Sequence, residues 1–197
     1  MGLFYTNITL RGPSQQQVAE HLKALGRTAH VSPTVDGFTV VYDRQTEDQD
    51  KRVLTGLACD LSQTFRCPAL AALVHDSDVF AYWLCESGGV TDTYDSIPAY
   101  FGGEPSPPAG GDVEKLCRAF GREGAIDEVQ RILDAVRTAS LSDDWSPGQL
   151  FGEDIHRQLA AALGMPPFAA LAGYYVIENG ALPEGMERAA LQSIGEE

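Results

Sequence analysis

The chain has 197 residues, 44% of them hydrophobic, and its 28 acidic side chains against 14 basic ones leave a net charge of −14. That length and apolar content suffice for one sizeable core, or for a domain with a smaller companion, and exclude a disordered polar chain. The charge argues against a direct grip on DNA or RNA, since no basic stripe offsets repulsion from a phosphate backbone, and the excess grows after residue 100, where 16 acids stand against 7 bases.

Phe4 to Leu10 alternates apolar and polar residues, with Phe4, Thr6, Ile8 and Leu10 on one face, which predicts a half-buried strand ending at Gly12-Pro13. Ser14 and Gln17 have the spacing of a capping box, and Val18, Leu22 and Leu25 share one helical face before Gly26. Thr28 to Ser32 and Phe38 to Tyr42 read as a hairpin around Asp36-Gly37. After the acidic run from Glu47 to Asp50, Leu54, Leu57, Ala58, Leu61 and Phe65 recur at helical spacing up to Cys67-Pro68. Ala69 to Val74, Val79 to Cys85 and Val90 to Tyr94 are three further strand-like runs.

The prolines and paired glycines between Asp95 and Gly111 read as a linker. Beyond it, Asp112 to Phe120, Ile126 to Val136 and Ile155 to Leu163 each show one apolar helical face. Tyr174 to Gly180 echoes Tyr82 to Gly88 in residue class, and both segments read as strands entering a turn.

The element order β-α-β-β-α-β plus a hairpin predicts an α+β fold, with a ferredoxin-like (split βαβ) antiparallel sheet, an appended β-hairpin and a mainly helical C-terminal part. The expected division is a sheet domain over 1–95, a linker over 96–111 and a helical part over 112–197 packed on the sheet.

The start from Met1 to Asn7 has no signal-peptide pattern, and no apolar run reaches the ~18 residues of a membrane span, so a cytoplasmic location away from membranes is expected. Cys59, Cys67, Cys85 and Cys117 accordingly read as reduced thiols, with Cys59 and Cys117 on apolar helix faces as packing residues. The closest pair, Cys59 and Cys67, is too widely spaced for a zinc site, and no metal or other cofactor is expected.

His75-Asp76-Ser77-Asp78 places carboxylates two residues apart in a turn, with Asp92 and Asp95 one strand away; that composition fits a hard cation, but fits a tight hairpin capped by Asp and Ser better. Tyr94 to Phe101 combines aromatics with a carboxylate, so Tyr100 and Phe101 either contact a ligand or, the favoured reading, anchor the linker. His21 and His156 fall among polar helix positions and read as solvated, and His30 receives no role.

None of the short signatures of nucleotide-binding loops, serine-hydrolase elbows, zinc proteases or deaminases occurs. The leading expectation is a non-catalytic acidic module that binds a basic protein, as an inhibitor, adaptor or immunity-type factor does. The alternative is an enzyme or small-molecule binder with a pocket between sheet and helical part, drawing on His75, Asp76, Asp78 and Asp95. A third class, a structural protein, calls for a large exposed apolar sheet face.

Overall fold

A computed structural model describes residues 2–100, 102, 104, 106–140 and 150–195. The chain runs β1 (Tyr5–Arg11), α1 (Gln15–Ala24), β2 (Ala29–Val31), β3 (Phe38–Asp43), α2 (Lys51–Phe65), β4 (Ala69–His75), β5 (Val79–Glu86), β6 (Gly89–Asp95), β7 (Ala109–Gly110), α3 (Val113–Ala119), α4 (Ile126–Ser140), α5 (Gly152–Ala162), α6 (Tyr174–Glu178) and β8 (Gln192–Ile194). The fold is α+β, with one antiparallel sheet of eight strands in the order β7-β6-β5-β4-β1-β3-β2-β8 and a mainly helical C-terminal region.

Local chemistry explains where the N-terminal helices begin. The Ser14 hydroxyl accepts from the Gln17 amide and the Gln17 side chain accepts from the Ser14 amide, a complete capping box; losing such a cap costs roughly 0.5–2 kcal/mol. Asp50 caps α2 by accepting from the Arg52 amide at 2.8 Å.

Both helices bury their apolar faces on one side of the sheet. Val18 and Leu22 of α1, with Leu54, Leu57 and Leu61 of α2, pack in one core with Ile8, Leu10, Val41, Ala71 and Leu73. The opposite face carries a second, larger core, where Phe38, Val40, Tyr42, Phe80, Tyr82 and Tyr94 meet Leu116, Phe120, Leu133, Ile155 and Leu159 of the C-terminal helices. The sheet is therefore sandwiched between two helical layers, and β1 is buried from Tyr5 to Leu10 on both faces. This corrects the expected half-buried strand: the residues that read as its solvent face include Tyr5 and Asn7, and Asn7 Nδ2 donates to the carbonyls of Ala169 at 3.1 Å and Ala172 at 2.9 Å.

Three short elements also depart from the sequence reading. Within the expected linker, Ala109–Gly110 pairs with Tyr94 and Asp95 as strand β7. Near the C-terminus, β8 pairs with β2, so the helical region returns one strand to the sheet. The segment expected as a strand at Tyr174 is helix α6. Its start sits too close to other groups for a side chain, since a Cβ on Gly173 would lie 2.1 Å from Glu47 Oε1 and 2.8 Å from Tyr5 Cβ. Glu47 accepts there from the Tyr174 amide at 3.1 Å, giving the first helical turn a partner for its unpaired N–H. Both sheet edges are strands of two or three residues, which limits edge-to-edge pairing. Among the described residues, no helix is long and apolar enough to cross a membrane.

Candidate functional site

The turn between β4 and β5 is a two-residue hairpin loop. Asp76 and Ser77 both have positive φ, 50° and 61°, and the Asp78 amide donates to the His75 carbonyl at 3.0 Å. Paired positive φ values match the right-handed twist of the flanking strands, and small polar residues tolerate them best after glycine.

Ser77 then ties three segments together. Its hydroxyl accepts from the Leu3 amide at 2.8 Å and donates to Glu153 Oε1 at 3.0 Å. Its own amide donates to the Leu3 carbonyl at 3.1 Å, while its carbonyl accepts from the Gly152 amide at 2.6 Å. The start of the chain and the start of α5 are both held against this turn. Glycine is required at 152, because a Cβ there would meet the Val79 carbonyl oxygen at 2.7 Å.

His75 lies beside the turn, with Nδ1 2.6 Å from Gln49 Oε1, so that ring nitrogen carries the donated proton. The edges of Phe4 and Tyr100 meet its ring at centroid distances of 4.8 and 5.4 Å. Tyr100 donates its hydroxyl to Asp78 Oδ2 at 3.1 Å. Desolvation, the bond to Asp78 and the negative charges of Asp78 and Asp76 raise the Tyr100 phenol above its ordinary pKa.

Asp95 accepts from the Ile97 amide at 3.0 Å and lies 3.9 Å from Lys51 Nζ. It lines a small cavity of ≈ 40 Å³ with Gln49, Lys51, Leu73 and Val79. His75, Asp76, Asp78, Asp95 and Tyr100 thus gather near one end of the sheet. Asp92 does not join them. Three residues from Asp95 on an alternating strand, it faces the other side, where it accepts from Tyr82 Oη at 2.7 Å and from the Asp112 amide at 3.1 Å. Phe101 lies outside the described residues. Among the described residues no group of three or more His, Cys, Asp or Glu side chains is placed to hold a metal ion.

The surface around this turn is apolar at its centre and acidic at its rim. Leu3, Phe4 and Phe151 are 39%, 45% and 46% exposed, unusual for large hydrophobic side chains, and each belongs to a segment bonded or stacked onto residues 75–77. Asp76 and Asp78 of the same turn are exposed, Asp154 is half-buried and bonded to Arg157 at 3.0 Å, and Glu153 accepts from Ser77 with its other carboxylate oxygen buried. Apolar centre and polar rim is the arrangement of a recognition surface.

The histidines depart furthest from expectation. His156, expected in solvent, is fully buried: Nδ1 lies 2.9 Å from Tyr5 Oη, and the ring stacks against Tyr5 and Phe80 at 5.8 and 5.2 Å. Burial lowers its pKa to about 3, so the ring is neutral and accepts the Tyr5 proton. His21, also expected in solvent, sits 2.6 Å from Asp60 Oδ2 with its ring edge against Phe65. His30, left without a role, is buried between strands. Its Nδ1 is 2.8 Å from Ser193 Oγ and its Nε2 2.9 Å from Glu178 Oε1, and Tyr174 stacks on the ring at 4.8 Å. The sequence carried no local sign of these contacts, since the partners lie 39 to 163 residues away.

Glu47 is a second hidden group. It accepts from the amides of Thr6 and Tyr174, both at 3.1 Å, yet desolvation outweighs those bonds and raises its carboxyl to about 7. An open cleft of ≈ 700 Å³ lies elsewhere, between α1 and β8, lined by Glu20, Lys23, Arg27, Gln192 and Ile194. Comparison with protein-family models, with curated proteins and with solved structures returns no match to this chain.

Proposed function

We propose that the protein is a cytoplasmic, non-catalytic binding module whose partner is a basic protein, in the manner of an inhibitor, adaptor or immunity-type factor. The observation that carries this reading is the exposed trio Leu3, Phe4 and Phe151, held on the turn that bears the exposed carboxylates Asp76 and Asp78. Apolar anchors supply binding free energy on desolvation, while a carboxylate rim and a net charge of −14 steer a cationic surface and reject an anionic one. We also read β1 to β4 as a ferredoxin-like split βαβ unit; the neighbour order β4-β1-β3-β2 and the shared face of α1 and α2 support that reading.

Affinity purification from the native cell, with mass spectrometry of co-eluting proteins, supplies the partner for the test. Its on-rate should fall markedly between about 0.01 and 0.1 M salt, as the Debye length shrinks from about 30 to 10 Å. Phe4→Ala should speed dissociation, and Asp76→Asn with Asp78→Asn should slow association, both without loss of folding. An on-rate indifferent to salt and to these carboxylates would reject electrostatic capture.

A second reading, an enzyme, draws on Ser193, His30 and Glu178, a serine, imidazole and carboxylate in hydrogen-bonded series with Ser193 exposed on the edge strand. Such a series activates a hydroxyl nucleophile when the imidazole takes its proton. A fluorophosphonate probe should then label the wild-type chain and not Ser193→Ala; equal or absent labelling of both removes this reading.

A further inference from the structure

We propose that Cys59 and Cys85 form a peroxide-responsive thiol pair that closes into a reversible disulfide stapling α2 to β5. Their sulfurs lie 2.7 Å apart, 26 residues apart in sequence, and are not joined. That separation is closer than two unbonded sulfurs ordinarily rest and only slightly beyond the about 2.0 Å of a covalent disulfide. Closure therefore requires the two sulfurs to approach by about 0.7 Å. The backbones are already held in place, because Leu57, Ala58 and Leu61 of α2 bury against the same core as Cys85. Of the other two thiols, Cys117 belongs to the core on the opposite sheet face, while Cys67 shares the core of Cys85 but follows the end of α2.

The two cysteines differ in a way that assigns their order of reaction. Cys59 is partly exposed, whereas Cys85 is fully buried, and burial together with the neighbouring Cys59 sulfur pushes the Cys85 thiol well above its ordinary pKa. Peroxide meets Cys59 first. The Cys59 thiolate attacks the O–O bond of hydrogen peroxide, forming a sulfenic acid and releasing hydroxide, which leaves as water with the thiol proton. The Cys85 sulfur then attacks the sulfenic sulfur, the S–S bond forms, and a second water departs with the Cys85 proton. Two thiols lose two electrons to one peroxide, and a dithiol reductant such as dithiothreitol restores them by exchange. A thiol otherwise suited to core packing thus serves as the resolving partner, and the buried position of Cys85 protects it from direct oxidation.

The test uses the purified full chain, treated with hydrogen peroxide, alkylated in denaturant and measured by intact mass and peptide mapping. Expected is the loss of two of the four alkylatable thiols, a mass lower by two hydrogens before alkylation, and a linked peptide containing Cys59 and Cys85. Closing a loop of this length should raise the thermal midpoint by roughly 6–12 °C, reversed by dithiothreitol. Cys85→Ser should leave a Cys59 sulfenic acid that dimedone traps, and Cys59→Ser should leave Cys85 alkylatable after the same exposure. Oxidation of Cys59 to sulfinic acid in the wild-type chain while Cys85 stays alkylatable, or links that join other cysteines or two chains, would overturn the proposal.

Discussion

Acidification should destabilise the fold steeply through one imidazole, and replacing Tyr5 and His156 together by Phe should remove that acid limb. The native site holds His156 neutral down to about pH 3, whereas the unfolded imidazole takes up a proton near its ordinary 6.5. Stability from this group is therefore complete above about pH 6.5 and is lost progressively as the pH falls towards 3, by about 5 kcal/mol as an upper order of magnitude. The cause is visible in the packing: a protonated Nδ1 can no longer accept from Tyr5, and the ring is fully buried against Tyr5 and Phe80, where a charge loses its hydration. The double Phe variant keeps the ring stack and leaves no unpaired hydroxyl.

Glu47 slopes the other way. Its carboxyl holds a proton up to about pH 7 in the fold and only to 4.5 in the unfolded chain, so its contribution is complete below 4.5 and is lost as the pH rises through about 7. Between 4.5 and 6.5 the two groups offset one another, so the wild-type urea midpoint should be nearly flat there, fall at lower pH and decline gently above it. Glu47→Gln should lose the decline near neutrality and keep the acid limb. Urea midpoints measured from pH 3 to 8 decide this, and an acid limb equally steep in the double Phe variant would assign acid lability elsewhere.

Asp43→Ala should cost about 3–5 kcal/mol, the penalty for breaking a buried ion pair by removing one partner. Asp43 is 1% exposed and takes Arg27 with two oxygens, Nε at 2.8 Å and a terminal nitrogen at 2.5 Å, and it also accepts from the Thr46 amide at 3.1 Å. Its loss leaves the largely covered Arg27 guanidinium without a counter-charge and uncaps the turn leading to Glu47. Asp43→Asn keeps an acceptor for Thr46 and should fall between wild type and Asp43→Ala. Arg27→Met in the Asp43→Ala background should recover part of the loss, because no unpaired charge then remains. Equal midpoints for wild type and Asp43→Ala would mean that water already solvates the pair.

What was legible in the sequence is what local periodicity and backbone chemistry control. The capping box at Ser14 and Gln17, the apolar stripes of α1 and α2, the strand runs of β3, β4 and β5, and the turn at Asp76-Ser77 stand where the residue pattern places them, because each depends on neighbours within a few positions. The patch around that turn was only half legible. His75, Asp76, Asp78 and Tyr100 announced themselves by composition, but Leu3, Phe4 and Phe151 joined them through Ser77, from segments some 75 residues away on either side. The tertiary structure alone decided the rest. Asn7 reads as a solvent-facing residue until the carbonyls of Ala169 and Ala172 supply its partners, and His156 reads as a surface residue until Tyr5 and Phe80 close over it. Glu178 and Ser193 likewise meet only across His30. A polar side chain is buried wherever a distant segment satisfies its hydrogen bonds, and no local pattern of apolar and polar residues records which segment that will be.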